Sequence, residues 1–366
     1  MKNIKKILQQ TFKFFSYKLF VIIYGSIKGK ISYKNNSKIE FQIIEKKNKV
    51  KYRVFKIKNC RLYTDRVHDT AVIIDNYIVD GPSHQLRPIN NDIVENNIVY
   101  KKGTPKIKKK LNGKVLSLLT GGAGNNNYWH WLFDVLPRYG LCENATNIND
   151  LDFIIVPSLE KKFQKMTLGF LNIPEKKCLS SRLFRHVECS ELFVTDHPTN
   201  TINDASKSME NIPVWISDWL KEKYGYLANK SNFKVNKHIY IDRSDSTAST
   251  KDLRLITNEN EVKKFVDEMG FQSIKLANLD FMDQVKIFNQ AEIIIGLHGA
   301  GFANLSFCKP GTKIVELKTE GEKVIENLAV NNKLIYKSVS SKPSAFDNKN
   351  QFGHIHISID SLKKLL

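Results

Sequence analysis

An alternation of short apolar strands with amphipathic helices constrains the fold of this chain more than any other feature of its sequence. The alternation begins at Val115, breaks off in a segment rich in Pro, Asn and Ser, and resumes at His238. Strands separated by helices in this manner form a parallel sheet that the helices cover. We therefore predict an α/β protein with two α/β domains that meet near residues 200–235.

The part of the chain before Val115 has a different pattern. Residues 38–110 contain strand-like stretches separated by turn residues, which predicts a β-rich section ahead of the first α/β domain. At about 100–200 residues per domain, a chain of this length holds two domains. We place them at residues 36–210 and 211–366, after a separate segment of residues 1–35.

The net charge of +20 is concentrated at the start of the chain. Residues 1–60 hold 16 Lys and Arg against two acids and so carry +14 of it. Within them, residues 11–27 are mostly aromatic and apolar, with Lys13 and Lys18 as the only charged residues. The uncharged run Leu19–Ile27 has nine residues, too few to cross about 30 Å of hydrocarbon. Apolar rings flanked by ammonium groups are typical of a segment that lies on an anionic membrane surface.

We predict that this basic, amphipathic segment binds an anionic membrane surface through residues 1–30. Two other interpretations stay open: an ordinary first helix, and a signal or anchor, although no small-residue cleavage site follows the apolar run. A second basic run, residues 101–114, holds seven Lys and no acid, and its Gly and Pro predict a loop or hairpin. We expect a solvated loop; attraction of a phosphate-rich or acidic substrate is the alternative. The run lacks the interleaved aromatic residues typical of single-strand binding, which argues against a nucleic-acid partner.

The cysteines and acidic residues give no sign of a metal site. The five cysteines are scattered and never spaced C-x-x-C, which argues against a disulfide scaffold and a zinc ribbon and favours a reducing compartment. Asp150 and Asp152 form a D-x-D triplet, but they precede a predicted strand and so lie at the edge of the sheet opposite the ligand edge. We expect no metal, and a cytoplasmic protein at the inner face of the cell membrane.

The first candidate site is the run GGAGNNNYWHWLFDVLPRYG at residues 121–140. On a helix that begins near Asn127, four polar residues fall within a stripe of about 80°: Asn127, His130, Asp134 and Arg138. The residues between them are nearly all apolar, which indicates a buried helix. Buried ionisable groups need partners or must line a cleft, and His130 and Asp134 at i, i+4 can hydrogen-bond. We expect an active cleft here; a buried structural pair is the alternative.

The second candidate site is EIIIGLHGAGFANLSF at residues 292–307, an apolar strand that runs into a Gly-rich turn and a helix. Backbone N–H groups at such a helix start bind phosphate. His298 ends this strand and Glu316 ends the next, so both lie at the carboxyl edge where open α/β sheets bind ligands. A carboxylate there suits two ribose hydroxyls, which predicts a nucleotide site; strand-end residues without a ligand are the alternative. Arg243 and Arg254 lie near polar loops, where arginines can clamp a diphosphate.

Three segments together resemble glycosyltransferase family 61: NNYWHWLFDVLPR, IYIDR…LRLITNENEV and IGLHGAGFANLSFCKPGTKIVEL. The resemblance covers about residues 115–320 and lies in the order and spacing of an HW-x-x-D helix, a Y-I-x-R strand, an N-E-x-E helix, a G-x-HGAG-x-x-N turn and PG-x-x-x-x-E. It implies a GT-B fold of two Rossmann-like domains, the first facing the acceptor and the second binding a nucleotide sugar. It also implies an inverting transfer without a metal ion.

The resemblance also implies roles for individual residues. It assigns the nucleotide diphosphate and ribose to Arg243, Arg254, His298, Gly299, Gly301, Asn304 and Glu316. It places His130 and Asp134 near the acceptor, with Asn127 and Arg138 on the same side. Inversion needs a base for the acceptor hydroxyl, and we take Asp134 as this base with His130 assisting; the reverse assignment stays open. Many family members carry two adjacent Arg before the N-E motif, whereas this chain has only Arg254 there.

We therefore predict a membrane-peripheral glycosyltransferase that adds a sugar to a lipid-linked or cell-surface glycan such as lipopolysaccharide core or capsule, with no cofactor and no nucleic-acid partner. Two other classes stay open. A nucleotide-cofactor oxidoreductase would bind NAD(P), but the acid expected about 20 residues after the Gly turn is missing. A nucleic-acid-binding protein would lose its affinity for DNA on deletion of residues 1–35.

Overall fold

The chain divides into two compact units. A computed structural model describes residues 2–85, 93–120, 126–143, 145–199, 204–244, 254–321, 323–345 and 354–366. Unit 1 is Met1–Ser208 and unit 2 is Met209–Leu366. Each unit combines helices with a multi-stranded sheet, so the predicted mixed α/β class is confirmed.

Unit 1 starts with a long helix and continues as strands that gain longer helical connections only after Ser117. Its helices are α1 (Lys2–Tyr24), α2 (Val99–Lys102), α3 (Tyr128–His130), α4 (Leu136–Cys142), α5 (Lys162–Phe170) and α6 (Ala205–Glu210), the last of which runs into unit 2. Its strands are β1 (Gly29–Ser32), β2 (Ile39–Glu45), β3 (Lys51–Thr64), β4 (Asp69–Ile74), β5 (Tyr77–Asp80), β6 (His84–Gln85), β7 (Lys109–Ser117), β8 (Phe153–Val156), β9 (Cys178–Ser180) and β10 (His186–Thr195).

One mixed sheet contains these ten strands. Its neighbours follow the order β1–β5–β4–β3–β10–β7–β8–β9, with β2 beside β3 and β6 beside β4. β3 is antiparallel to β10, whereas β10, β7, β8 and β9 are parallel. β10 therefore joins a mainly antiparallel half to a parallel half, and the segments that follow β7 and β10 leave from the same edge. Those two segments carry the first candidate site.

Two N-terminal features bear on the predictions from charge. α1 has 23 residues, yet no helix in the described ranges combines the length and the hydropathy needed to cross a membrane. The second basic run is not a simple loop, because Lys109 onward belongs to β7, which pairs with β10. Only residues 103–108 connect α2 to that strand. The prediction of a loop or hairpin for residues 101–114 is therefore wrong over most of its length, because the pairing of β7 with β10 outweighs the Gly and Pro content.

Unit 2 alternates strands with helices. Its helices are α7 (Val214–Tyr224), α8 (Glu259–Glu268), α9 (Phe281–Gln290), α10 (Val324–Asn331) and α11 (Ile359–Lys363). Its strands are β11 (His238–Ile241), β12 (Gln272–Ile274), β13 (Ile293–Leu297), β14 (Lys313–Thr319), β15 (Ile335–Ser341), β16 (Pro343–Ala345) and β17 (His354–Ile355).

The main sheet of unit 2 is parallel throughout, in the order β12–β11–β13–β14–β15. The chain adds β12 on one side of β11 and then places β13 on the other side, so the strand order reverses between β11 and β13. Ligands of open α/β sheets bind outside the carboxyl ends of the strands at such a reversal. Arg243 follows β11 and His298 follows β13, which puts both at this position.

Phe55 tests the core of unit 1. It is 0% exposed in β3, with its ring 5.3 Å from that of Tyr33. Phe55→Ala should lower the free energy of unfolding by about 3–5 kcal/mol, because it leaves a cavity. The matched control is Phe41→Ala, which removes a ring that is 42% exposed and should cost much less. Hydrogen exchange monitors the unfolding in urea, so that the peptides of unit 1 are measured separately from those of unit 2. Equal losses of unfolding free energy in the two variants would contradict the packing.

Candidate functional sites

The helical segment that follows β7 is not a continuous α-helix. Asn127 caps its first turn, because its Oδ1 accepts the N–H of Trp129 at 2.8 Å. The turn Trp131–Val135 is π-helical, with the N–H of Leu136 bonded to the carbonyl of Trp131. A π turn holds an additional residue, so the side chains beyond it rotate away from the stripe expected for an ideal α-helix.

His130 and Asp134 form a hydrogen-bonded pair on this segment. Nδ1 of His130 lies 2.6 Å from Oδ2 of Asp134, and the hydroxyl of Thr199 donates to Oδ1 of Asp134 at 2.7 Å. Both carboxylate oxygens are therefore engaged, and the Asp134 side chain is only 7% exposed. The imidazole of His130 is 22% exposed, and its Nε2 makes no hydrogen bond to the residues that the structure describes. His130 is thus the member of the pair that a substrate can reach.

Burial and charge act in opposite directions on the pKa values of this pair. Burial alone would raise the pKa of Asp134, but the hydrogen bond and charge of His130, helped by His197 and Thr199, lower it to about 2. Burial alone would lower the pKa of His130, whereas the hydrogen bond and charge of Asp134 raise it above 6.5. Asp134 therefore stays ionised at neutral pH, and its charge and hydrogen bond favour the protonated form of His130.

Arg138 lies beneath the pair and does not face solvent. It is 0% exposed, and its Nη1 donates to the carbonyl oxygen of Thr195 at 3.0 Å. The same carbonyl accepts a hydrogen bond from Nε2 of His84 at 2.9 Å. Burial lowers the pKa of Arg138 to about 10, which still leaves it charged at neutral pH. Arg138 therefore anchors the end of β10, from which the chain continues to Thr199. Its buried guanidinium is not exposed to an acceptor substrate.

Sequence reasoning missed Thr199 and two histidines, His84 and His197. Nδ1 of His197 lies 3.3 Å from the Thr199 hydroxyl, and burial lowers the pKa of His197 to about 4, so its imidazole is neutral. Thr199 and His197 belong to the run DHPT, residues 196–199, which directly follows the buried strand β10. A polar run at a strand end is the same signal that pointed to His298, and it would have found these two residues. For His84, which lies in the two-residue strand β6, the sequence has no comparable signal.

Arg243 and the Gly-rich turn meet at the strand reversal of unit 2. Nη1 of Arg243 donates to the backbone carbonyl of His298. Gly299 allows this approach, because a Cβ added there would lie 2.8 Å from Nη1 of Arg243. Gly301 packs equally closely on Leu276, where an added Cβ would lie 2.7 Å from Cδ1. Larger residues at either glycine would displace the side chains that shape this edge.

His298 is held by a buried carboxylate. Nδ1 of His298 lies 2.5 Å from Oε1 of Glu316, and the hydroxyl of Tyr336 donates to Oε2 of Glu316 at 2.5 Å. The Glu316 side chain is 1% exposed, whereas that of His298 is 20% exposed. Burial, together with the charge of Glu316, raises the pKa of Tyr336 well above its ordinary 10, so its hydroxyl remains a donor. The oxygens that we expected to accept ribose hydroxyls are occupied by the chain itself, and His298 is the member that a ligand can contact.

Asn304 and Arg254 lie deeper in unit 2. Asn304 is fully buried, and its Nδ2 donates to Oε1 of Gln284 at 2.9 Å and to the carbonyl of Gly301 at 3.2 Å. It therefore fastens the turn after β13 to α9. Arg254 is 4% exposed and precedes Leu255, whose carbonyl accepts a hydrogen bond from the C-terminal segment. The residues that contact one another at the carboxyl edge are Arg243, His298, Gly299 and Glu316, with Gly301 and Asn304 below them.

No metal site emerges from the described ranges. Within them, no three His, Cys, Asp or Glu residues are grouped so as to hold a metal ion. Asp152 precedes β8, and its carboxylate accepts the backbone N–H of Lys114 at 2.8 Å. The triplet therefore serves the start of a strand, at the edge of the unit 1 sheet opposite the first candidate site.

Comparison with known proteins gives one match. Residues 128–315, slightly more than half of the chain, match the family model for glycosyltransferase 61. The matched range contains His130, Asp134, Arg138 and most residues of the unit 2 group, while Asn127 and Glu316 each lie one residue outside it. A search of curated proteins found no match to the chain.

The pKa of His130 tests the geometry of the first site. Asp134→Asn removes the negative charge but leaves the imidazole buried, so the pKa of His130 should fall below 6.5. Thr199→Val keeps the carboxylate and should change this pKa much less. NMR titration of the histidine ring C–H signals measures both variants. An unchanged His130 pKa in Asp134→Asn would mean that the pair is not formed in solution.

Proposed function

We propose a reaction for this chain, which belongs to glycosyltransferase family 61. The reaction is an inverting, metal-independent transfer of a sugar from a nucleotide-sugar donor to a cell-surface glycan or lipid-linked acceptor. Membership makes the chain a glycosyltransferase, with a nucleotide sugar and a glycan as its substrates. It also removes the oxidoreductase alternative. The two compact α/β units, one of them with a parallel five-stranded sheet, support a GT-B fold.

The second unit provides the donor site in this proposal. Arg243 and His298 lie at the strand reversal, where a parallel sheet binds nucleotides. A diphosphate there would meet the Arg243 guanidinium and the imidazole of His298, which Glu316 holds in one orientation. Cationic and N–H groups at this position stabilise the charge that grows on the departing diphosphate, and they do the work that a metal ion does in other transferases.

The first unit provides the base. The observation that carries this assignment is that Asp134 is enclosed, with both oxygens engaged, whereas His130 keeps Nε2 accessible. Neutral His130 takes the proton of the acceptor hydroxyl, and ionised Asp134 stabilises the imidazolium that results. The acceptor oxygen forms a bond to the anomeric carbon as the bond from that carbon to the phosphate oxygen breaks, and the electron pair leaves with the nucleotide. Attack on the face opposite the leaving group inverts the configuration.

The acceptor is proposed to be presented at the inner face of the cell membrane. Residues 1–60 carry +14, and α1 exposes many large apolar side chains, which together favour an anionic lipid surface. A sugar acceptor that stays in this surface is lipid-linked, as precursors of lipopolysaccharide core and capsule are. The alternative is an acceptor that diffuses freely in solution. It would not account for the exposed apolar side chains of α1.

A panel of nucleotide sugars tests donor binding. With a chelator present and no metal, one nucleotide class should raise the melting temperature by roughly 5–10 °C at a hundredfold excess over Kd. Arg243→Gln should reduce this shift, because it removes the cation at the strand reversal. The control is Arg182→Gln, which changes an arginine of unit 1 that is 66% exposed and should keep the shift. No shift, or a shift that needs a divalent ion, would contradict the proposal.

His130→Gln tests the base. It should lower kcat by about 10²–10⁴-fold while the donor-induced melting shift is kept, because only proton transfer is lost. Asp134→Asn should also lower kcat and move the acidic limb of the pH–rate profile to lower pH. The wild-type limb lies above pH 6.5, because His130 must lose its proton before it can act. If His130→Gln keeps the wild-type kcat, Asp134 or another group is the base.

A further inference from the structure

A polar cavity lies at the point where α1 meets the sheet of unit 1. Its volume is about 460 Å³, and its walls come from the end of α1, from β3, from the turn between β4 and β5, from β7 and from β10. All of these elements belong to unit 1. Neither the base nor the donor site includes any of the residues that line it.

Three cations line this cavity, and two of them form no ion pair with a described residue. Of the three, Lys108 is paired with Glu188. Arg61 makes one side-chain hydrogen bond, to Oδ1 of Asn76, and no ion pair with a described residue. Lys110, which is exposed on the cavity wall, forms no ion pair in the described ranges either, although Glu188 lies between it and Arg61 in the sheet. The three cations outnumber the two carboxylates of the lining, Glu188 and Asp75, and Asp75 is already paired with Lys38. The spare N–H groups of a guanidinium and of an ammonium are the donors that bind a phosphate group.

Side-chain amides and a hydroxyl complete the polar wall. Asn59, Asn112 and Ser190 line the cavity, and all three are exposed. Groups of this kind bind the hydroxyl groups of a small polyol next to a phosphate. The lining therefore suits a phosphate that carries a hydroxylated substituent, and it does not suit an apolar ligand.

α1 has two opposite faces above this cavity. One face packs on unit 1: the hydroxyl of Tyr24 accepts the backbone N–H of Lys108 at 3.0 Å, and Val21 lies against Gly103. At about 100° per residue, the opposite face holds an arc of about 100° with six exposed apolar side chains. This apolar stripe consists of Leu8, Phe12, Phe15, Leu19, Ile22 and Ile23, each at least 55% exposed.

Ile23 connects the stripe to the cavity. It belongs to the apolar stripe and also lines the cavity, so the two features open side by side. The second basic run adds charge at the same place, because Nζ of Lys102 lies 6.0 Å from the ring of Tyr17 and Nζ of Lys108 lies 5.6 Å from that of Tyr24. A surface that combines apolar side chains with cations is complementary to an anionic bilayer and not to water.

We propose that this cavity binds the phosphate headgroup of an anionic membrane lipid while the apolar stripe enters the bilayer interface. Arg61 and Lys110 bind the phosphate, and the amides bind the hydroxyls of a headgroup such as glycerol. The inference rests on the membrane contact proposed above and not on glycosyl transfer. It turns a general attraction to the surface into recognition of one headgroup at one position.

Vesicle binding by the full chain tests the proposal. Phosphatidylcholine vesicles with and without phosphatidylglycerol are sedimented with the wild type, with Arg61→Gln/Lys110→Gln and with Lys110→Gln alone. The control is Lys49→Gln/Lys176→Gln, which removes the same charge from exposed positions outside the cavity. The cavity double variant should bind anionic vesicles at least about tenfold more weakly than the wild type, and the control at most about threefold. Lys110→Gln removes no side-chain hydrogen bond or ion pair to a described residue. Weaker vesicle binding by this single variant therefore cannot be attributed to misfolding caused by Arg61→Gln.

A soluble probe separates the lipid from free phosphate. Glycerol 3-phosphate at constant ionic strength should compete with anionic vesicles for the wild type but not for the cavity double variant. Equal vesicle binding by the cavity variant and the control would overturn the proposal, as would a wild type that ignores phosphatidylglycerol. A melting shift with free phosphate but no vesicle effect would assign the cavity to a soluble ligand and reject the lipid. The nucleotide-sugar shift, measured on the same variants, stays intact if only this inference fails.

Discussion

The enclosed carboxylate of Asp134 is the constraint around which unit 1 is organised. A buried charge costs several kcal/mol unless its oxygens are paired, and here His130 and Thr199 pair them. Thr199 comes from the segment after β10, so one carboxylate ties that segment to the helical segment after β7. Arg138 and His84 hold the same segment through the carbonyl of Thr195. The orientation of the imidazole is therefore fixed by contacts that never reach the substrate.

Unit 2 also pairs a buried carboxylate with an imidazole and a hydroxyl, in a different part of the sequence. His298, like His130, uses Nδ1 to contact a buried carboxylate and keeps about a fifth of its side chain exposed. Glu316 is saturated by Tyr336 as well as by His298, as Asp134 is by Thr199. In both units a charged group that cannot touch a ligand sets the tautomer and direction of one that can. In the proposed reaction the imidazoles therefore contact the substrates, and the carboxylates fix the orientation of the imidazoles.

The sequence predicts these sites unevenly, for physical reasons. His130 and Asp134 are four residues apart, and His298 ends an apolar strand, so local spacing alone places them. Arg138 was assigned to the same stripe on the assumption of an ideal α-helix, and the π turn removes it from that stripe. Thr199 and Tyr336 lie 65 and 20 residues from the carboxylates they contact, and only the sheet order brings them there. The class of fold follows from periodicity, whereas the environment of each carboxylate follows from strand pairing.

The position of β10 in the sheet has a consequence for biosynthesis. β10 is the last strand of unit 1 in the sequence, yet it lies between β3 and β7, in the middle of the sheet. A nascent chain therefore carries β3 with one unpaired edge until residue 195 has left the ribosome, and such edges are prone to aggregate. The stretch with Thr199 emerges immediately afterwards. The contacts that orient His130, the proposed base, therefore form only once β10 has closed the sheet, and a chain that ends before residue 195 lacks both the closed sheet and these contacts.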